Sequence, residues 1–224
     1  MPVDESDTPD TGIRVVYADA ALIVLDKPSG LLSVPGRGAD KQDCLSARVQ
    51  AQFADALVVH RLDMSTSGLI VMARGVAVQR ALSEAFAERR VSKRYEAIVH
   101  GEVDPTGEDW RVIDLPIAVD WPHRPLRVIN HETGKASVTR LQRLHVDAGR
   151  NTSHVLLEPL TGRTHQLRLH LQAIGHPILG DALYAPPDVA ALAPRLLLHA
   201  SVLGFTHPVS GVAMEFSLPA LASA

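Results

Sequence analysis

The chain has 224 residues, 46% of them apolar and 21% charged, with a net charge of −3 and one cysteine. This composition excludes a disordered chain and a disulfide scaffold, and it suffices for a full core in one large domain or two closely joined lobes. No uncharged apolar run reaches the roughly 18 residues of a membrane span, and the opening MPVDESDTPD is acidic where a signal peptide is basic and then apolar. The expectation is a soluble, cytoplasmic protein, with residues 1–12 as a disordered acidic tail and 219–224 as a C-terminal tail. Cys44, alone, makes neither an internal disulfide nor a zinc site and reads as a buried bystander.

Residues 13–26, IRVVYADAALIVLD, read as two short strands around a turn at Ala18-Asp19, and KPSGLLSVPGRG then supplies the turn chemistry of a functional loop or a lid. Leu45, Val49 and Phe53 recur at helical spacing behind Asp43, a candidate cap. The runs ALVVH and LIVMA are strands on either side of His60-Arg61-Leu62-Asp63 and a small polar string that ends in Gly68. A helix is expected from Val76 to Arg89, with Val78, Leu82, Ala85 and Phe86 on one face, and KRYEAIVHG as a strand.

Residues 102–114 read as polar and irregular. Strands follow in RPLRVINHETGKASVTRLQRLHV and NTSHVLLEPL, with turns at 132–134 and 148–151. A helix is expected over 164–174, ended by Gly175 and Pro177, then a short helical piece near 188–193 and a closing strand pair, LLLHASVLGFTH and AMEFSL. Many strands in hairpin-like succession with three or four helices predict an α+β fold with a mostly antiparallel sheet. A doubly wound nucleotide-binding fold is disfavoured, because strands and helices do not alternate and no glycine-rich fingerprint follows the first strand.

The charge is unevenly spread. Residues 122–170 hold eight Arg or Lys, Arg124, Arg127, Lys135, Arg140, Arg143, Arg150, Arg163 and Arg168, against Glu132, Asp147 and Glu158. Such a segment is either a phosphate-facing surface or an ordinary solvated face. The 11 histidines do not point to a metal: His165 and His170, five apart, share a face on neither a helix nor a strand. Ser65, Thr66 and Ser67 read as turn formers, and no nucleophile elbow occurs.

Three groups remain with chemical capacity: Asp63 with Arg61, Tyr95 after Lys93-Arg94, and Arg163 in TGRTHQLR. A carboxylate held near a guanidinium stays ionised below its ordinary range and is then available as nucleophile or base. Taken singly, Asp63 also fits a turn or a surface ion pair, and Tyr95 a core residue with its hydroxyl satisfied. Arg163 would sit beside the N-terminal amides of the 164–174 helix, which favour an anion.

At these residues the chain resembles a known family. HRLDMSTSGLIVMA is very similar to the signature of the RluA-type pseudouridine synthases, and VLDKPSGLLSVPG, KRYEAIVHG, PLTGRTHQLRLHLQAIGHPILGDALY and PRLLLHA resemble its other blocks in order. The resemblance covers roughly residues 13–218; DWPHRP and HETGKA are similar to the short branch that serves ribosomal and transfer RNA. It implies a pseudouridine synthase fold, with a mixed sheet in two halves, flanking helices and a central active-site cleft. The catalytic domain would be 13–218, without the S4 domain of some relatives.

The activity so implied detaches uracil from ribose, turns it and rejoins it through C5, in 23S ribosomal RNA and in the anticodon stem-loop of transfer RNA, without cofactor or metal. Asp63 matches the catalytic aspartate; the first step is open between attack on C1′, addition to the uracil ring and removal of the 2′ proton. Tyr95 matches the tyrosine stacked on the target base, Arg163 the arginine that pairs with the aspartate, and Arg61 a residue that fills the gap left by the flipped nucleotide. Leu197 or Leu198 would wall the uracil. Arg61, Lys93, Arg94, Arg124, Arg127, Lys135 and Arg140 are the side chains expected on RNA, and a monomer is expected. Single-target enzymes on the same core, a binding-only RNA module, and a nucleoside glycosidase needing a second carboxylate, for which Glu158 is the nearest candidate, are the alternatives.

Overall fold

A computed structural model describes residues 12–105 and 110–221; nearly all of the expected N-terminal tail and the last three residues lie outside the described residues. The chain divides into two compact units, the first made of Met1–Val91 and Gly204–Phe216, the second of Ser92–Leu203 and Ser217–Ala224.

In the first unit, β1 (Arg14–Ala18) and β2 (Leu22–Lys27) form the expected hairpin. Asp19 makes its turn: one carboxylate oxygen accepts the amides of Ala21 and Leu22 at 2.7 and 2.9 Å, the Asx geometry that a short acid provides. β2 pairs with β4 (Ser67–Arg74), and β3 (Ala56–Val58) pairs with β4, all antiparallel. Almost every residue of β2 and β4 is buried, so both read as continuous apolar runs. α1 (Leu45–Gln52) buries Leu45 and Val49, and α2 (Val76–Ala87) buries Leu82 and Ala85, the faces expected from their spacing. Asp43 does not cap α1. Cys44 holds that position without a side-chain cap, and Asp43 instead binds the Arg48 guanidinium through both oxygens at 2.7 Å. Cys44 is fully buried.

In the second unit, β5 (Ser92–His100), β10 (Thr152–Pro159), β9 (Val138–Asp147) and β6 (Arg111–Asp114) are successive antiparallel neighbours. At 111–114 β6 corrects the irregular reading of 102–114, of which 106–109 lie outside the described residues: Ile113 alone is buried, so the edge strand carries one inward residue and no recognisable alternation. β7 (Ile117–Val119) and β8 (Arg127–Ile129) form a separate two-stranded hairpin. α3 spans Gln166–Ala173 and α4 Pro187–Ala190, each shorter than expected. β11 (Leu198–Thr206) flanks β5 and continues into the first unit, where β12 (Ala213–Ser217) begins. Ala97, Val99, Leu141, Val155, Leu157 and Leu171, all fully buried, centre the core of the second unit. Gly180 has φ +74°, and a Cβ there would lie 1.8 Å from the Arg195 carbonyl oxygen, so the backbone approach admits glycine only. The C-terminal segment is tied down as far as Leu221, whose amide donates to Glu96 at 3.2 Å.

Candidate active site

The His60–Thr66 segment links β3 to β4 in the first unit and carries Arg61 and Asp63. It is anchored from both ends. His60 stacks on Phe86 of α2 with ring centroids 4.3 Å apart, and its Nε2 accepts the Val71 amide at 3.1 Å. Leu62 is buried, and its amide and carbonyl both bond the Ser33 hydroxyl, at 3.1 and 2.7 Å. The Thr66 amide closes a turn on the Asp63 carbonyl at 3.1 Å. Gly68, the second residue of β4, has φ +111°, a conformation that glycine adopts without strain.

The KPSGLLS segment is the other half of this arrangement. Ser29 donates to the Ser65 carbonyl at 2.7 Å and the Gly30 amide to the Met64 carbonyl at 2.9 Å. Leu32 is fastened in turn by the Leu45 amide at 2.8 Å. The stretch therefore fits the reading of a loop with a structural task better than that of a lid. At its base lies Lys27, fully buried, whose ammonium donates to the carbonyls of Pro28, Leu31 and Met64 at 2.8, 2.7 and 3.1 Å. Burial pushes the Lys27 pKa down to about 8, opposed by the negative charge of Asp63. Asp63 itself is half-buried and Arg61 exposed. Sequence reading assigned no role to Lys27: the carbonyl of Met64 lies 37 positions away.

The second unit holds the other expected residues. Tyr95 lies on β5, half-buried against the core cluster, opposite Leu157 of β10. Leu197 and Leu198 are buried members of the same cluster. Arg163 is exposed in the loop before α3, and its Nε approaches the Ala136 carbonyl at 3.4 Å. The loop is shaped by Gln166, which the sequence did not single out. Its buried amide accepts from the Thr161 hydroxyl at 2.7 Å and the Arg163 amide at 3.0 Å, and donates to the Val138 carbonyl and the Thr139 hydroxyl at 3.0 Å. The Gln166 amide is spent on the Arg163 carbonyl, so the expected N-terminal anion site loses two of its donors, the amides of Arg163 and Gln166.

His165 precedes α3 in the left-handed region, φ +58°, which is why the helix begins later than expected. Its Nδ1 is 2.7 Å from the Tyr184 hydroxyl, which accepts the Arg127 amide at 2.9 Å. His170 is structural: fully buried between the Thr139 hydroxyl and the Leu115 carbonyl, both at 2.9 Å, with its pKa lowered by burial. Among the described residues, no three His, Cys, Asp or Glu side chains gather as metal ligands.

The basic segment is less uniform than its composition suggests. Arg168 is buried and bonded through Nε and a terminal nitrogen to both carboxylate oxygens of Asp181, at 2.8 and 2.5 Å, which removes it from any phosphate surface. Arg140 pairs with Glu158 at 2.9 Å and lies over the Trp110 ring, and Arg143 donates to the Val103 carbonyl. Glu158, the candidate for a second carboxylate, is the partner in that pair. Arg124 and Lys135 are exposed and Arg127 half-buried. Lys93 is half-buried and Arg94 exposed on β5.

Among the described residues, no helix is long and apolar enough to cross a membrane. The family model of RNA pseudouridylate synthases matches residues 21–173. Over 206 residues the chain is 48% identical to the dual-specificity RNA pseudouridine synthase RluA of Escherichia coli, covering 92% of each chain. It is 45% identical over 210 residues to the protein of that name from Pasteurella multocida, covering 94% of each. Among solved structures, human RNA pseudouridylate synthase domain containing 1 matches with a TM-score of 0.76 at 30% identity, over 97% of this chain and 86% of that one. Human RNA pseudouridylate synthase domain containing 4 matches at 0.73 and 25%, over 92% and 88%. This chain belongs to the RNA pseudouridylate synthase family, and the reaction it carries out is an isomerisation.

Proposed function

We propose that this synthase converts chosen uridines to pseudouridine in both 23S ribosomal RNA and the anticodon stem-loop of transfer RNA, acting as a soluble, cytoplasmic monomer without cofactor or metal. The observation that carries the dual target is the 48% identity, over 92% of the chain, to a synthase named for dual specificity. Asp63 is the catalytic carboxylate: whichever first step operates, at C1′, at the uracil ring or at the 2′ proton, it needs an ionised oxygen in a fixed place. The hydrogen bonds that Ser33, Ser29, Gly30 and Lys27 make to residues 62, 64 and 65 support that role, since they hold the backbone on both sides of Asp63.

A stacked uridine must leave its neighbours before its glycosidic bond is reached, at a cost of a few kcal/mol. Tyr95 offsets that cost by stacking on the extruded base, Leu197 and Leu198 by an apolar wall, and Arg61 by filling the vacated place. The motif match assigns Arg163 as the arginine that serves the aspartate. Lys93, Arg94, Arg124, Arg127 and Lys135 meet phosphates; Arg140, engaged by Glu158, contributes less.

The test is to incubate the purified protein with unmodified ribosomal RNA and with bulk transfer RNA, in chelator and without cofactor, and to map pseudouridine base by base. Modification in both is the expected result. Modification in one alone contradicts dual specificity, and modification in neither contradicts turnover on these substrates.

A further inference from the structure

The loop joining β7 to β8, Asp120–Leu126, carries one of the two tryptophans of the chain. Trp121 is 67% exposed, among the highest values for a large apolar side chain here. A single exposed apolar side chain is ordinary on a protein surface; what sets this one apart is the cation beside it. One face of the ring is already taken: the Arg124 guanidinium lies over it, 3.8 Å from the ring centroid. With the residue 67% exposed, much of the rest of the ring is open to solvent.

The loop is ordered around this pair. The Asp120 amide donates to the Leu126 carbonyl at 3.1 Å, and the Leu126 amide to the His123 carbonyl at 2.9 Å. The Asp120 carboxylate accepts the His123 amide and lies 3.1 Å from its ring nitrogen, so the acid is occupied beside the arginine. The Arg127 amide ties the base of β8 to the Tyr184 hydroxyl. Among the described residues Arg124 has no carboxylate partner, and it stands in the basic segment of a chain whose net charge is −3.

We propose that the tip of the β7–β8 hairpin is a nucleotide-stacking site, in which an unpaired RNA base other than the target uridine lies on the Trp121 ring and Arg124 holds the adjoining phosphate. A flat aromatic face with a planar cation behind it suits a π-faced, anionic ligand: stacking takes any base, and the guanidinium edge takes a phosphate oxygen. A protein partner would call for an apolar surround, whereas the neighbours of Trp121 are Asp120, Pro122, His123 and Arg124. The inference rests on the RNA reading above and adds a contact outside the chemistry.

Trp110→Phe leaves Trp121 as the sole tryptophan. Titrating that variant with an unmodified stem-loop RNA should quench its fluorescence, and a blunt duplex of equal length should quench it far less. Trp121→Ala should weaken stem-loop binding and raise KM by about tenfold or more, as loss of one stacked base does elsewhere, with kcat at saturating RNA within about twofold. Trp121→Phe, which keeps an aromatic face, should retain most of the affinity. Unchanged affinity and KM in Trp121→Ala, or equal quenching by the duplex, would overturn the stacking site while turnover by the unaltered protein leaves the enzyme reading intact. Absence of any RNA binding by the unaltered protein would overturn both.

Discussion

The ammonium of Lys27 donates to the carbonyl of Met64, the neighbour of Asp63, from a position with no solvent exposure. Its pKa, lowered to about 8 by burial against the Asp63 charge, lies below the 10.5 of a free lysine. Below about pH 8 both folded and unfolded chains hold the proton. Between the two values the unfolded chain binds more protons, so the lysine's contribution to stability rises with pH. From about pH 8 to about pH 10 the unaltered protein should gain on the order of 2 kcal/mol relative to Lys27→Met. Parallel urea-unfolding curves for the two across that range would contradict the assignment. Lys27→Met should also be less stable throughout, since it leaves buried carbonyls unsatisfied at about 1–3 kcal/mol each.

Arg168 and Asp181 are 4% and 1% exposed, and Asp181 also accepts the amides of Leu183 and Tyr184. Truncating one member of a buried pair strands the other, at a cost of about 3–5 kcal/mol. Asp181→Ala should lower the urea midpoint by a corresponding amount, and Asp181→Asn, which keeps one acceptor oxygen, by less. A midpoint that Asp181→Ala leaves in place would show that the guanidinium finds another partner.

Tyr95→Phe preserves the ring and Tyr95→Ala removes it. If the ring stacks on the flipped base, Phe keeps RNA affinity and Ala loses about 1–3 kcal/mol of it. Binding isotherms that coincide for the two variants would remove Tyr95 from the base.

Arg124 and Arg127 lack carboxylate partners among the described residues, whereas Arg140 has Glu158. Replacing both Arg124 and Arg127 by Ala should flatten the dependence of log Kd on log salt by about 1.4–1.8 units, and replacing Arg140 should change it little. Equal slopes for the unaltered protein and the double variant would move the phosphate contacts elsewhere.

The elements that were legible in the sequence are those whose signals are local. The Asp19 turn, the apolar faces of α1 and α2, and the strands around the HRLD segment follow from turn chemistry and periodicity. What escaped depends on partners distant in the chain. Lys27 looks like a strand-end surface lysine until Met64 is brought to it; Arg168 looks like a phosphate ligand until Asp181 neutralises it; Gln166 looks like a first-turn helix residue until Thr161 and Val138 surround its amide. β6 was missed for a different reason, since an edge strand with one inward residue shows no alternation. The family motif identified Asp63, Tyr95 and Arg163 as residues of interest without revealing these supports.

The central claim is that Asp63 carries the chemistry. Its most direct test is pseudouridine formation under single-turnover conditions by Asp63→Asn, with stem-loop RNA affinity measured on the same preparation. The exchange is nearly isosteric, so affinity should stay within a few fold while product formation falls to background. Product formed by Asp63→Asn at a rate near that of the unaltered protein would contradict the account.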